Sequence, residues 1–274
     1  MKITAYVPCF NNARTLPDTL KSIKVQTVPV DELFIIDDGS SDGSDQLALD
    51  LGCRVIRNEE NLGRGATRAR AMSEASCELV LACDATNAIP PDFVERALPW
   101  FESDKVAAVF GRMSQRNNRN TVSRWRARHL LLIDVDFATD RHAPLITQGV
   151  LMRKAAVEAV GNFNPDLRHG EDGDLGTRLL ADGYEVVFDP NIPIMSLSEH
   201  SLMQTLERYW RWNYREEENS VWTPYLRQVS YSLRVLARAD FLAGDLASIP
   251  ISLIAPHYQF WRSHLEWVRK HSGS

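Results

Sequence analysis

The sequence lacks the features that would place it in several specialised classes of protein. Its four cysteines form no CxxC pair, so nothing indicates a zinc site or a disulfide framework, as is typical of a reducing cytoplasm. The net charge of −5 gives a nucleic-acid-binding role no electrostatic support. No apolar run approaches the ~20 residues of a membrane span, and the N-terminus lacks the apolar segment of a signal peptide. We therefore expect a cytoplasmic protein.

What is present is an ordinary globular composition, with 44% hydrophobic and 24% charged residues in a chain of 274. Up to residue 83, short apolar runs alternate with segments of helical periodicity. The pattern predicts strands at residues 3–7, 33–36, 54–57 and 78–82, and helices at residues 14–26, 45–51 and 66–75. Such an alternation indicates an α/β fold in which a parallel sheet carries helices on both faces.

One stretch joins a predicted buried strand to an acidic loop. The apolar residues 33–36 run directly into Asp37 and Asp38, and Gly39 then permits a sharp turn. Ligands of open α/β sheets bind at the carboxyl ends of such strands, so the pattern favours a ligand site. The alternative is helix capping by Asp42, which leaves two adjacent carboxylates unexplained.

Acidic residues recur at two later positions. Asp84 follows the fourth predicted strand, and Glu171, Asp172 and Asp174 stand at the start of a predicted helix. One acid is enough to cap a helix, so three acids favour a chemical role, although capping remains an alternative for each of them.

Taken in order along the chain, these motifs resemble those of the family 2 glycosyltransferases. Each motif is weak alone, but their order and spacing make the resemblance specific, and it covers about residues 3–200. The matching residues are Val7-Pro8-Cys9-Phe10-Asn11, Gln26-Thr27, Asp37-Asp38-Gly39-Ser40, Asn61-Leu62-Gly63 with Ala66-Thr67-Arg68, the strand that ends at Asp84, and Gly170-Glu171-Asp172-Gly173-Asp174-Leu175.

The resemblance implies the GT-A fold, a Rossmann-like, mostly parallel central sheet flanked by helices. We expect this domain over residues 1–200, followed by a helical C-terminal extension over residues 201–274. The implied activity is an inverting hexosyl transfer from a nucleotide-sugar donor, which we take to be a UDP-sugar, to a hydroxyl group of an unknown glycan, lipid or small-molecule acceptor. Two alternatives remain: a degenerate fold that binds the sugar nucleotide without turnover, and a sugar nucleotidyltransferase.

The resemblance also assigns residues to the donor. Pro8, Phe10 and Asp38 fall where family members hold the nucleoside, because an aromatic ring can stack on a base and a carboxylate can accept the uracil N3–H. Arg68 matches an arginine of the family pattern and belongs to a basic cluster suited to phosphate or to orienting acidic loops. Gly149 matches a position that leaves room for the donor sugar. Phe10 has a second interpretation, as a loop aromatic that covers the core.

The chain departs from the family pattern at the expected metal site. Asp84-Ala85-Thr86 stands where the family carries Asp-x-Asp, whose carboxylates hold a divalent metal, Mn²⁺ or Mg²⁺, at the donor diphosphate. A threonine hydroxyl is a weaker ligand for a hard cation, so we expect metal binding at Asp84 to be weakened by Thr86. His200 matches a late histidine that ligates metal in some members, and its alternative is an ordinary surface histidine.

The last acidic cluster supplies the expected catalytic base. The resemblance assigns the base to Asp172, with Glu171 and Asp174 in supporting roles, and a helix N-terminus would keep the base ionised. The C-terminal residues have few counterparts in the family. Their apolar stretch from Leu246 to Trp261 predicts either a peripheral contact with a membrane surface or a homodimer contact.

Overall fold

The computed structural model describes residues 1–116, 118–213 and 222–271. Contacts within the chain divide it into two compact units. The first unit contains Met1–Ser114 and Asp136–Ser198, and the second contains Gln115–Val135 and Glu199–Ser274. Residues 115–135 therefore group with the C-terminal part of the chain. The domain boundary that we expect at residue 200 stays a prediction.

The first unit is built around one sheet of eight strands, in the order β3-β2-β1-β4-β7-β6-β8-β5. The strands are β1 (Ile3–Cys9), β2 (Glu32–Asp37), β3 (Arg54–Arg57), β4 (Leu79–Cys83), β5 (Asn87–Ala88), β6 (Val106–Gln115), β7 (Gly149–Arg153) and β8 (Glu185–Ser196). The α-helices among the described residues are α1 (Leu16–Lys24), α2 (Ser44–Asp50), α3 (Arg64–Glu74), α4 (Phe93–Ala97), α5 (Thr121–His129), α6 (Lys154–Ala159), α7 (Glu171–Ala181), α8 (Leu202–Asn213), α9 (Trp222–Tyr231), α10 (Ala237–Leu242) and α11 (Ile249–His271).

One half of the sheet is parallel and the other half contains antiparallel pairs. β1 pairs in parallel with β2 and β4, and β2 pairs in parallel with β3. β7 is antiparallel to β4 and β6, and β5 is antiparallel to β8. The predicted α/β class is confirmed. The prediction that β1 stops before Pro8 is wrong, because Pro8 pairs in register with Ile36 and the strand continues to Cys9.

Apolar side chains on the two faces of the sheet form two separate cores. Ile3, Ala5 and Val7 of β1 face one core, which also contains apolar residues of α1, α2 and α4. Tyr6, which lies between them in β1, faces the other core, together with α3, α6 and α7. Because successive side chains of a strand alternate between faces, helices on both sides bury the whole of β1. Because β1 pairs in parallel with both β2 and β4, the carboxyl ends of these three strands meet at one edge of the sheet.

The second unit is helical and has its own core. Its buried apolar residues come from α5, α8, α11 and the π-helical segment Ser232–Leu236, and they are Trp125, Leu130, Leu206, Tyr209, Leu236, Ile251 and Ala255. α5 ends at His129. Leu132 has a φ of 51°, outside the right-handed helical region.

The longest of the described helices, α11, continues through Pro256, which lies in the apolar stretch from Leu246 to Trp261. Within the described residues, no helix combines the length and the apolarity that crossing a membrane requires.

Candidate active site

The carboxyl ends of β1 and β2 bring the predicted nucleoside residues together. Pro8 lies in β1, Phe10 follows that strand, and Asp38 follows β2. The backbone N–H of Asp38 donates to the carbonyl oxygen of Cys9 at 2.8 Å, which joins the two loops. The Phe10 side chain is 44% exposed, so it contributes little to the core.

Asp38 is buried and organises the turn that precedes α3. Its Oδ1 accepts hydrogen bonds from Asn58 Nδ2 at 2.8 Å and from the Leu62 N–H at 2.9 Å, and its Oδ2 accepts from the Gly63 N–H at 3.0 Å. A carboxylate has about four acceptor positions. The three bonds therefore leave Asp38 about one position for a ligand, at Oδ2.

Asp37 has a different environment from its neighbour. Its side chain is fully buried, and its Oδ2 accepts from the Ser40 N–H at 3.1 Å and lies 3.3 Å from Nη1 of Arg57. Arg57 also forms an ion pair with Asp45 of α2. Asp37 thus holds the loop after β2 against β3 and α2, and Asp38 is the acid of the pair that faces the turn before α3.

Arg68 of α3 is a buried cation that joins two of the predicted acids. Its Nη2 donates to Asp84 Oδ1 at 2.5 Å, and its Nε donates to Glu171 Oε1 at 3.1 Å. Burial alone would lower the pKa of Arg68, but the charges of Asp84 and Glu171 raise it above its ordinary value. Since Asp84 follows β4 and Glu171 begins α7, the Asp84–Arg68–Glu171 bridge ties the carboxyl edge of the sheet to the start of α7.

Three polar atoms around this bridge are buried and have no hydrogen-bond partner within the described part of the chain: Arg68 Nη1, Glu171 Oε2 and the Tyr6 hydroxyl. Tyr6 is fully buried beside Arg68, and burial raises the pKa of its hydroxyl. An unsatisfied buried polar group costs about 1–3 kcal/mol, so such groups are rare in native proteins and need an explanation. A ligand group or a water molecule that completes these bonds would provide one.

Two glycines allow α3 to begin directly against the loop that precedes α7. A methyl group at Gly65 would lie 2.1 Å from the carbonyl oxygen of Asn164, and the Gly65 N–H donates to the carbonyl oxygen of Leu167 at 3.0 Å. Gly63 has a φ of 93°, which a side chain rarely permits, and its open side faces Arg168. Gly63 and Gly65 therefore allow the start of α3 to lie against residues 164–168, the loop that precedes α7.

The three acids at the start of α7 have three different environments. Glu171 is buried in the bridge to Arg68. Asp174 accepts two hydrogen bonds from the Arg178 guanidinium, at 2.6 and 3.1 Å. Asp172 is half-buried, and among the described residues its carboxylate accepts only from the Gly173 N–H, at 3.0 Å. Of the three, Asp172 has the carboxylate with the fewest internal partners.

Gly149 lies next to this edge of the sheet, because it is the partner of Cys83 across β4 and β7. A methyl group at Gly149 would lie 3.0 Å from the Ile194 side chain of β8. Packing between strands is therefore one reason for a glycine here, and room for a donor sugar stays a prediction.

The residues near Asp84 do not form a metal cage. Within residues 1–116, 118–213 and 222–271, no group of three or more His, Cys, Asp or Glu side chains is arranged to hold a metal. Asp84 Oδ1 is held by Arg68, and Thr86 contributes no carboxylate. The donor set therefore does not fit a metal held by the protein alone.

The second predicted metal ligand, His200, lies in the second unit. Burial, and then the charges of Arg126, Arg208 and Arg211, lower the pKa of His200 to about 4. The imidazole is therefore neutral near pH 7. The three surrounding arginines repel any further positive charge, whether it is a proton or a metal cation. These arginines make the His200 site a poor one for a bare metal cation.

The sequence did not identify Tyr6 as a residue of this site. A tyrosine in the middle of an apolar strand was the available signal, because a buried hydroxyl normally requires a partner. The pairing of Arg68 with Glu171 was also missed, since the two residues are 103 positions apart.

Comparison with known sequences identifies the family. The family model described as "Glycosyl transferase family 2" matches residues 4–161. The hyaluronan synthase of Streptococcus pyogenes is 30% identical over 164 residues, which are 55% of this chain and 38% of that protein. The O-antigen chain rhamnosyltransferase RfbN of Salmonella typhimurium is 24% identical over 223 residues, or 77% of this chain and 71% of that protein. The chain thus spans less than half the length of the hyaluronan synthase.

Comparison with solved structures supports the fold. The mannosyltransferase PcManGT from Pyrobaculum calidifontis, in complex with GDP-Man and Mn²⁺, has a TM-score of 0.59 at 18% identity over 93% of this chain and 73% of that one. Residues 1-349 of S. aureus TarS, in complex with UDP-GlcNAc, have a TM-score of 0.57 at 15% identity over 97% of this chain and 92% of that one. The predicted GT-A fold is confirmed. Since the family model covers more than half of its residues, the chain belongs to glycosyl transferase family 2.

Proposed function

We propose that the protein transfers a sugar from a UDP-sugar to a hydroxyl group of its acceptor, with inversion at the anomeric carbon. The observation that carries the proposal is the Asp84–Arg68–Glu171 bridge, which ties the donor edge of the sheet to the first turn of α7. The acceptor oxygen attacks the anomeric carbon, the bond from that carbon to the diphosphate oxygen breaks, and UDP leaves. Asp172 takes the proton of the attacking hydroxyl.

The choice of Asp172 as base rests on its surroundings. Asp174 is paired with Arg178 and Glu171 with Arg68, so the oxygens of both already have cationic partners. The Asp172 carboxylate accepts a single backbone hydrogen bond from Gly173. Its remaining acceptor positions can take the proton of an attacking hydroxyl group.

The donor site in this proposal uses the edge formed by β1, β2 and β4. The exposed ring of Phe10 stacks on the base, beside Pro8, and Asp38 accepts the uracil N3–H at its remaining Oδ2 position. Asp84 lies towards the ribose and diphosphate, and Gly149 borders the sugar. The relatives solved with GDP-Man and UDP-GlcNAc support a nucleotide-sugar donor, and the preference for uridine rests on Asp38.

The role of metal in this proposal is reduced. One solved relative contains Mn²⁺, but here Arg68 occupies one oxygen of Asp84 and Thr86 replaces a carboxylate. We therefore expect activity that depends less on divalent metal than a site with two carboxylates would. The acceptor is an unknown glycan, lipid or small molecule, and the protein acts in the cytoplasm with a further contact through its C-terminal region, to a membrane surface or to a second copy.

The experiment is to incubate the protein with UDP-sugars and GDP-Man, with Mn²⁺ or with EDTA, and to measure nucleoside diphosphate release. Release from a UDP-sugar that persists in EDTA is the expected result. Activity that is lost in EDTA and restored by micromolar Mn²⁺ would contradict the metal proposal. UDP binding without release, with every acceptor class tried, would favour a degenerate binding fold. Pyrophosphate formation from a sugar phosphate and UTP would favour a nucleotidyltransferase.

A further inference from the structure

Residues 222–242 form a continuous helical segment of the second unit, made of α9, the π-helical segment Ser232–Leu236 and α10. Its buried residues, Ser232, Leu236 and Asp240, are spaced four apart and lie in its second half, and α9 contains none. We call the exposed surface of residues 222–242 the arginine face. A side of a helix that packs on nothing is normally polar.

The arginine face is apolar to an unusual degree. Leu226 is 66% exposed, Leu233 56%, Phe241 65% and Leu242 72%. Single exposed apolar residues are common, but a monomer rarely exposes many large ones along one element, and such a patch marks an interaction surface.

The charges on this face all have one sign. Arg227, Arg234 and Arg238 are exposed and lie seven and four residues apart, so they form one stripe along the helical segment. The acid of α10, Asp240, is buried and bonded to Arg128 and His129. Within the described range 222–243, the face therefore carries three cations and no exposed acid.

We infer that the arginine face docks on a lipid bilayer surface that contains anionic phospholipid. Helices that lie in the membrane interface typically combine leucine and phenylalanine, which enter the lipid, with a row of cations, which contact the headgroups. Trp222 is exposed at the start of α9, and tryptophan is enriched at the membrane–water interface. The inference is independent of the sugar-transfer proposal, because no residue of the donor or base site belongs to the face.

Charge also argues for the bilayer over a second copy of the chain. In a two-fold dimer the same patch meets itself, so contact through this face would bring the arginine stripes of the two copies together. Like charges that meet in an interface oppose association. A surface of anionic headgroups has the opposite charge and gains from the same three side chains.

The test is flotation of the full-length chain with vesicles of phosphatidylcholine alone and of phosphatidylcholine mixed with phosphatidylglycerol, at low and high salt. We expect binding to the mixed vesicles that weakens at high salt. Replacing Arg227, Arg234 and Arg238 with glutamine should reduce partitioning about fivefold for each arginine. The double variant Phe241→Asp with Leu242→Asp should abolish binding.

The matched control is Leu49→Asp with Leu51→Asp, which places the same charges on exposed leucines of the first unit and should bind like wild type. Thermal melting of each variant checks that it folds. Absence of binding to mixed vesicles would overturn the inference, and so would equal binding by the Phe241 and Leu242 variant. Light scattering measures the oligomeric state of the wild type and of the arginine variant. A dimer that is more stable in the arginine variant than in the wild type would assign the face to a second copy instead. UDP release, measured in parallel without vesicles, reports separately on the sugar-transfer proposal.

Discussion

Each of the two units contains a buried ionic network, and the two networks differ in how completely their polar groups are bonded. In the first unit, Arg68 lies between Asp84 and Glu171. In the second unit, Asp240 accepts from Arg128 Nη1 at 2.6 Å and Ser252 Oγ at 2.6 Å. Both centres are almost completely removed from solvent.

The carboxylate at the centre of the second network is fully bonded, whereas Arg128 Nε, 3.4 Å from Asp134, has no hydrogen-bond partner among the described residues. His129 Nε2 lies 2.8 Å from the oxygen that Arg128 also contacts, so both oxygens of Asp240 have partners. Ser252 in turn accepts from Trp125 Nε1 at 2.8 Å. These bonds join α5, α10 and α11, so the network acts as a structural link between three helices. Hydrogen bonds to the carboxylate hold the pKa of Asp240 low against the opposing effect of burial.

The network around Arg68 is incomplete, because Arg68 Nη1, Glu171 Oε2 and the Tyr6 hydroxyl lack partners in the described residues. Three such atoms lie around Arg68 and one lies around Asp240. Buried polar groups without a partner lower stability and need an explanation, such as a bond to a ligand or to water. The comparison suggests that the two networks have different purposes. Substitutions near Arg68 should change binding and turnover, and substitutions near Asp240 should change stability.

The largest expected effect is on turnover, at Asp172. Asp172→Asn preserves the size of the side chain but removes the group that accepts the proton. Loss of a general base costs about 10²–10⁴-fold in rate. We expect the sugar-transfer rate to fall by that factor while UDP affinity, from calorimetric titration, stays close to wild type.

The control for this prediction is Asp174→Asn, which removes the partner of Arg178 in the same turn. It should keep most of the activity. A dead Asp174→Asn beside an active Asp172→Asn would move the base to Asp174. Loss of UDP binding in both variants would make the cluster structural.

The next effect is on stability, at Asp240. Asp240→Asn leaves Arg128 and His129 beside a neutral group, and breaking a buried ion pair typically costs about 3–5 kcal/mol. Urea denaturation followed by circular dichroism measures the change. Asp134→Asn is the control, since Asp134 is 3.4 Å from Arg128 Nε but largely exposed, and such surface pairs contribute about 0–1 kcal/mol. Equal effects of the two variants would contradict the difference that we draw between buried and exposed partners.

A smaller effect is expected at Arg68. Arg68→Lys keeps the charge, but one ammonium group cannot reproduce the planar fork that reaches Asp84 and Glu171 together. We expect UDP-sugar turnover to fall about tenfold, mainly through kcat, because the losses of individual charged hydrogen bonds are about 1–3 kcal/mol. Arg64→Lys, on the exposed side of the same helix, should have no effect. A change in stability with unchanged kinetics would make the Arg68 network structural, like that of Asp240.

The sequence predicted the parallel half of the sheet well, because β1 to β4 and the helices between them are local elements with strong apolar periodicity. Asp38, Asp84 and Asp172 were identified as site candidates for the same reason, since each follows a recognisable strand or begins a helix. Their roles stay predictions.

The antiparallel pairing of strands and the Arg68 bridge could not be predicted in this way. β7 lies between β4 and β6, and this order depends on pairing between segments far apart in the chain. The sequence left two roles open for Arg68, binding phosphate and orienting acidic loops. Its partner Glu171 lies 103 positions away in the chain, and the local pattern does not show that the two residues are in contact.

The smallest expected effect is a pH dependence that arises at His200. In the folded protein, burial and the charges of Arg126, Arg208 and Arg211 lower the pKa of His200 from 6.5 to about 4. Between pH 4 and 6.5 the unfolded chain therefore binds more protons at this residue than the folded chain. The free energy of unfolding consequently falls as the pH drops through this range. Solvent screening limits the contribution to about 1 kcal/mol. His200→Gln should flatten the stability profile between pH 4 and 6.5, measured by urea denaturation. A profile that His200→Gln does not alter would show that the imidazole is as easily protonated in the folded protein as in the unfolded chain.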